Sequence, residues 1–126
     1  MVEKIKTILK ELKKANKPVS LLAILKMDDV TDRWSVVYSA SDLQDAKKRN
    51  AMFRHLVDLL IKYLSKAELQ EIARVGVFPL DNHLVQNLMK YKKGYSFQEP
   101  TPINGNVVHE GHILESSDTE KIPQLL

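Results

Sequence analysis

The stretch "VSLLAILKMDDVTDRWSVVYSA", Val19 to Ala40, decides the fold of this chain. Two strand-like runs, VSLLAILKM and RWSVVYSA, flank DDVTD, whose acidic residues suit a turn and are poor strand formers, so the segment reads as a β-hairpin. In the first run Val19, Leu21, Ala23 and Leu25 share one face, while Leu22 and Ile24 make the other face apolar too. A strand with two apolar faces belongs in the middle of a sheet covered on both sides. In the second run Trp34, Val36, Tyr38 and Ala40 alternate with Arg33, Ser35, Val37 and Ser39, which leaves one clearly apolar face. Asp28, Asp29 and Asp32 lack the glycine and distal glutamate of a calcium loop, so a solvated turn is expected there.

Downstream the period becomes helical. Leu43, Ala46, Asn50, Phe53, Val57, Leu60 and Leu64 recur three and four apart, which predicts a long helix capped by Ser41. Ser65 and Glu68 form a second capping box, so a short helix starts where the long one stops. "ARVGVFPL", Ala73 to Leu80, reads as a strand closed by Pro79, and Asp81 as the cap of a helix ending near Gly94. "SFQEPTPINGN" reads as a loop leading to a last strand, "VVHEGHIL". Upstream, Ile5, Ile8, Leu9 and Leu12 form one stripe of a basic amphipathic helix that ends near Asn16, because Pro18 cannot continue it.

The expected fold is therefore a single α+β or α/β domain over residues 1–115, with residues 116–126 as an acidic, flexible tail. It has about four helices and a four-stranded mixed sheet, built from one hairpin and two strand-helix-strand connections. His109, Glu110 and His112 suggest that the final strand lies at an edge, and its apolar residues on both faces would then need covering by a second copy. A two-fold homodimer is the expectation.

Composition narrows function by exclusion. The 126 residues, 44% hydrophobic and 28% charged, suit one domain with its own core. There is no cysteine, which excludes disulfides, thiolate zinc sites and cysteine nucleophiles. The longest apolar run, "VSLLAIL", falls far short of the roughly 20 residues that cross a bilayer, and the first segment alternates charge with aliphatics. A soluble cytoplasmic protein without membrane contact is expected. The net charge is +3, but the four arginines are scattered, which argues against a nucleic-acid partner.

"KKRNAMFRHLVDLL", Lys47 to Leu60, carries Arg49 and His55 at the spacing of HEPN-type ribonucleases. On a helix those side chains diverge, because Arg49 lies about 40° from Phe53 and His55 falls on the solvent side. "HEGH" is one residue short of the helical zinc spacing, and on a strand His109 and His112 oppose each other. No nucleophile elbow, phosphate loop or dinucleotide fingerprint is present. No catalytic residue, metal or cofactor is assigned.

One ligand site remains as an alternative. The second and third strands end in "SASD" and "PLDNH", and crevices beyond strand carboxyl ends are where open α/β sheets bind ligands. Ser39, Ser41, Asn82 and His83 would be donors to an anion or nucleotide. Capping by serine and aspartate explains the same residues without a ligand.

The run "LLAILKMDDVTDRWSVVYSASDL", the following long helix, "LSKAELQEIARVGVF" and the aliphatic final strand resemble a small family of uncharacterised prokaryotic proteins with a W-x-V-V-x-S-A strand after an acidic turn. The resemblance covers about residues 19–114. It implies the fold and a bacterial or archaeal origin, and no activity. Three function classes follow: a non-enzymatic protein-interaction or self-association module, which the sequence favours; a ligand-binding or enzymatic domain at the strand ends; and an HEPN-like ribonuclease, which it disfavours.

Overall fold

The computed structural model describes residues 1–27 and 30–117, and of residues 30 and 31 the backbone alone. The turn aspartates Asp28 and Asp29 and the tail from residue 118 onward lie outside the described residues. Helix α1 (Val2–Lys14) is followed by strands β1 (Leu21–Met27) and β2 (Val30–Ser39) and helices α2 (Ala46–Tyr63) and α3 (Lys66–Gln70). Strand β3 (Ile72–Phe78), helix α4 (His83–Leu88) and strands β4 (Ser96–Phe97), β5 (Thr101–Ile103) and β6 (Asn106–Ser116) complete the α+β domain.

The sheet has the order β3-β2-β1-β6-β4, with β5 also paired to β6. The hairpin forms as expected, with β1 antiparallel to β2 through Leu22↔Tyr38 and Ile24↔Val36. The crossover through α2 and α3 returns β3 parallel to β2. β1 is central, as its two apolar faces demand. Leu22 and Ile24 face α1 and α2, where Ile5, Ile8, Leu12, Met52, Leu56 and Leu60 complete one core. Leu21, Ala23, Leu25 and Met27 face the opposite layer, where Val85, Leu88, Met89 and Phe97 complete a second. Burying both faces removes the solvent-facing side that an isolated hairpin would keep.

Three expectations need correction. The sheet has six strands instead of four, because the segment read as a loop contains β4 and β5. Asn104 and Gly105 have φ of 50° and 81°, and they link Ile103 to Asn106 in the β5-β6 hairpin. Asn-Gly is the preferred pair where both central turn residues need positive φ. Pro102 is tolerated because, among the described residues, β5 pairs with β6 alone, so its missing N–H costs no ladder bond.

The final strand is no edge. β6 lies between β1 on one side and β4 and β5 on the other. Its two apolar faces are buried inside the domain, with Val108 and Ile113 in one core and Leu114 in the other.

Helix boundaries also shift. α2 begins at Ala46, and Asp45 caps it by accepting a hydrogen bond from Lys47 N at 3.0 Å. Ser41 is exposed in the preceding turn. Asn82 in place of Asp81 caps α4, its Oδ1 accepting from Val85 N at 3.2 Å. The Ser65–Glu68 capping box of α3 is present as expected. α1 stops at Lys14; Asn16 takes a left-handed φ of 57°, and Lys17 N donates back to Leu12 O at 2.9 Å. Asparagine adopts that conformation more cheaply than most residues, and Pro18 follows immediately.

Candidate functional site

With β6 internal, the sheet's edges are β3 at one end and the short β4 and β5 at the other, so the long edge belongs to β3. Among the described residues its single strand neighbour is β2. All of β3 except the exposed Arg74 is half-buried, although Ile72, Val75, Val77 and Phe78 are strongly apolar. Arg74 lies along the strand and donates from Nε to Ser35 Oγ at 2.8 Å. At Gly76 a Cβ would lie 2.5 Å from the Phe78 ring, the next side chain on its face, so a larger residue there would displace that ring.

The helix beside this edge is apolar over a wider arc than the core uses. Met52, Leu56 and Leu60 are buried, whereas Phe53 is 41% and Ile61 59% exposed. Of the predicted stripe, Leu43, Leu60 and Leu64 are buried, but Asn50 and Phe53 are exposed. Phe53, Val57 and Ile61, four residues apart, instead make a second row on one flank of α2. Two clefts run between this row and β3. One of about 590 Å³ is bordered by Asn50 and Phe53 on the helix and Arg74 to Phe78 on the strand, and it continues past the strand to Met27, Ser35 and Leu84. The other, of about 240 Å³, is bordered by Val57 and Ile61 and by Ile72 to Val75. The clefts share Arg74 and Val75.

The four residues predicted as ligand donors are placed as follows. Ser39 is fully buried, and its Oγ donates to Phe78 O at 2.7 Å, tying the ends of β2 and β3 together. Ser41 is exposed in its turn, Asn82 is the α4 cap, and His83 is exposed at the start of α4, its carbonyl accepting from Asn87 Nδ2 at 2.8 Å. None of the four borders either cleft beside β3.

Arg49 and His55 diverge. Arg49 Nη1 donates to the carbonyls of Leu43 and Gln44 at 2.9 and 2.8 Å, fastening the turn before α2. His55 borders a separate cleft of about 270 Å³ with Lys17, Lys48 and Asp42. Tyr38 closes its floor by donating from its hydroxyl to Pro18 O. Burial, with Asp42 nearby, pushes the Tyr38 hydroxyl above its ordinary value, so it remains a proton donor.

The second histidine motif is a layered contact on the sheet. His112 Nδ1 and Ser96 Oγ share a hydrogen bond of 2.9 Å, and the His112 ring lies 5.9 Å from that of Trp34. Lys26 Nζ sits 4.6 Å over the Trp34 ring and 3.5 Å from Glu110. Among the described residues no three His, Asp or Glu side chains are grouped to hold a metal, and no helix is long and apolar enough to cross a membrane. No protein-family model, curated protein or solved structure matches the chain.

Proposed function

We propose that the chain is a non-enzymatic cytoplasmic protein-interaction module whose contact surface is the outer edge of β3 together with the Phe53–Val57–Ile61 row of α2. The observation that carries this reading is the juxtaposition of a strand with one neighbour and a helix flank with two large apolar side chains in solvent. An open edge offers a row of backbone donors and acceptors to any extended chain, and natural sheets blunt such edges with charge, proline or a short strand. β3 has seven residues, no proline and one charged side chain, Arg74. A strand added there would complete the ladder while its helix or side chains cover the exposed row.

The test is a photo-reactive residue at position 61 in cells producing the chain. The reading expects cross-links from position 61 into another polypeptide, with a control at exposed Lys90 giving none. Absence of cross-links at position 61 under conditions where an internal positive control reacts would contradict it.

A further inference from the structure

We infer that the cleft between the α1–β1 turn and α2 binds a small phosphate monoester, at a place separate from the β3 edge and independent of the interaction reading. Three nitrogen-bearing side chains converge on it: Lys17 from the turn, and Lys48 and His55 from α2. Lys48, Ala51 and His55 are spaced three and four apart, so they share one face of the helix, and the short Ala51 leaves a notch between its two longer neighbours.

The opposite wall is held in place. Asn16 turns the chain with a φ of 57°, Lys17 N donates to Leu12 O at 2.9 Å, and Pro18 O accepts the Tyr38 hydroxyl. Residue 17 thus stands across a fixed floor from α2. Asp42 is the one acid bordering the cleft, against two lysines. Among the described residues Lys17, Lys48, His55 and Asp42 make no ion pair within 4 Å. Cations gathered around a concavity without counter-charges raise the local concentration of anions.

The donor types select the anion. Lysine is a compact point charge that commonly holds phosphate, whereas a planar carboxylate is matched best by the arginine fork, which this cleft lacks. The volume of about 270 Å³ falls just below the roughly 300–1,000 Å³ of pockets for drug-sized ligands, so the occupant is small. It leaves room beside a phosphate for a short organic group, which Leu43 and Met52 would meet with apolar surface.

Nuclear magnetic resonance of the full chain, titrated with glycerol 3-phosphate and separately with inorganic phosphate, tests the site. Saturable shifts are expected at Lys17, Lys48, Ala51 and His55 in the millimolar range or below, with the ester binding more tightly than the free ion. Lys48→Glu should weaken ester binding about tenfold. Lys66→Glu, the same charge change at an exposed position of α3 outside the cleft, should have a much smaller effect. Ala51→Leu keeps the charge and suits an exposed helical position, and by filling the notch it should also weaken binding about tenfold. Asp42→Asn should tighten binding by removing the repelling carboxylate.

No saturable shift, shifts that bypass Lys48 and His55, equal losses from Lys48→Glu and Lys66→Glu, or binding indifferent to Ala51→Leu would each overturn the inference. Inorganic phosphate binding as tightly as glycerol 3-phosphate would overturn the assignment of a monoester.

Discussion

Gly111 of β6 stands directly opposite Leu25 of β1, so close that a Cβ on residue 111 would lie 2.8 Å from Leu25 Cδ2. The same Cβ would meet Ile24 O at 3.1 Å and the Phe97 ring at 3.3 Å. The glycine of "HEGH" therefore serves packing: it lets β4 and β1 close over β6.

Gly111→Ala should destabilise the fold by about 1–3 kcal/mol, because Leu25 and Phe97 are buried and cannot yield freely. A lowered denaturation midpoint with an unchanged slope checks it. Gly76→Ala makes a useful comparison, since there the added methyl meets only the half-buried Phe78 ring, which can swing outward. Its cost should be smaller.

Ser39→Ala should cost about 1 kcal/mol through loss of the buried hydrogen bond that ties Phe78 O to the end of β2. Asn82→Ala should cost a similar amount, about 1 kcal/mol, as an N-cap loss. Thermal melts of the two single variants and the double variant would show nearly additive losses, as for separate structural roles. A melting-temperature gain from a nucleotide or phosphosugar that either substitution abolishes would instead restore the strand-end ligand site.

Acid should loosen the contact between α1 and α3. The Ser65 backbone N–H and the Lys4 ammonium hold the Glu68 carboxyl down to about 2. A depressed carboxyl stabilises the fold above its unfolded value of 4.5, and that contribution fades as pH falls from there toward 2. Glu68→Gln should flatten the stability curve over that window and leave its slope near neutrality unchanged.

His112 acts in a higher window. Burial holds its ring below the ordinary 6.5, with Glu110 opposing and Lys6 reinforcing the shift. The folded chain prefers the neutral ring, so stability should fall as pH drops below 6.5 toward the depressed value. Nuclear magnetic resonance titration of the ring in wild type and Glu110→Gln checks the sign: without the carboxylate, the midpoint should move lower still.

The hairpin, the central place of β1 and the parallel return of β3 were legible because each is written in local pattern: two apolar faces, an acidic turn, and a helix of the right length between strands. The β5-β6 hairpin carries a local signal in Asn104-Gly105 between Ile103 and Asn106, but Pro100 and Pro102 beside it suit a loop equally well. Proline excludes a central strand, and among the described residues β5 pairs with β6 alone. The edge was misplaced for a different reason. His109, Glu110 and His112 look solvent-facing, yet Lys26 pairs with Glu110 and Ser96 with His112, so cross-strand partners distant in sequence accommodate them. The face of α2 was also beyond local reading. Met52, Phe53, Leu56, Val57, Leu60 and Ile61 span one broad apolar arc, and which half is buried depends on where β3 ends the sheet.

Amide hydrogen exchange across residues 72–78, measured on the free chain and on the chain cross-linked through position 61, tests the central claim most directly. A polypeptide added along β3 predicts that these amides are markedly more protected in the cross-linked species, while those of β4 and α4 do not change. Equal exchange in β3 in both species would place the contact elsewhere on the molecule and contradict the account.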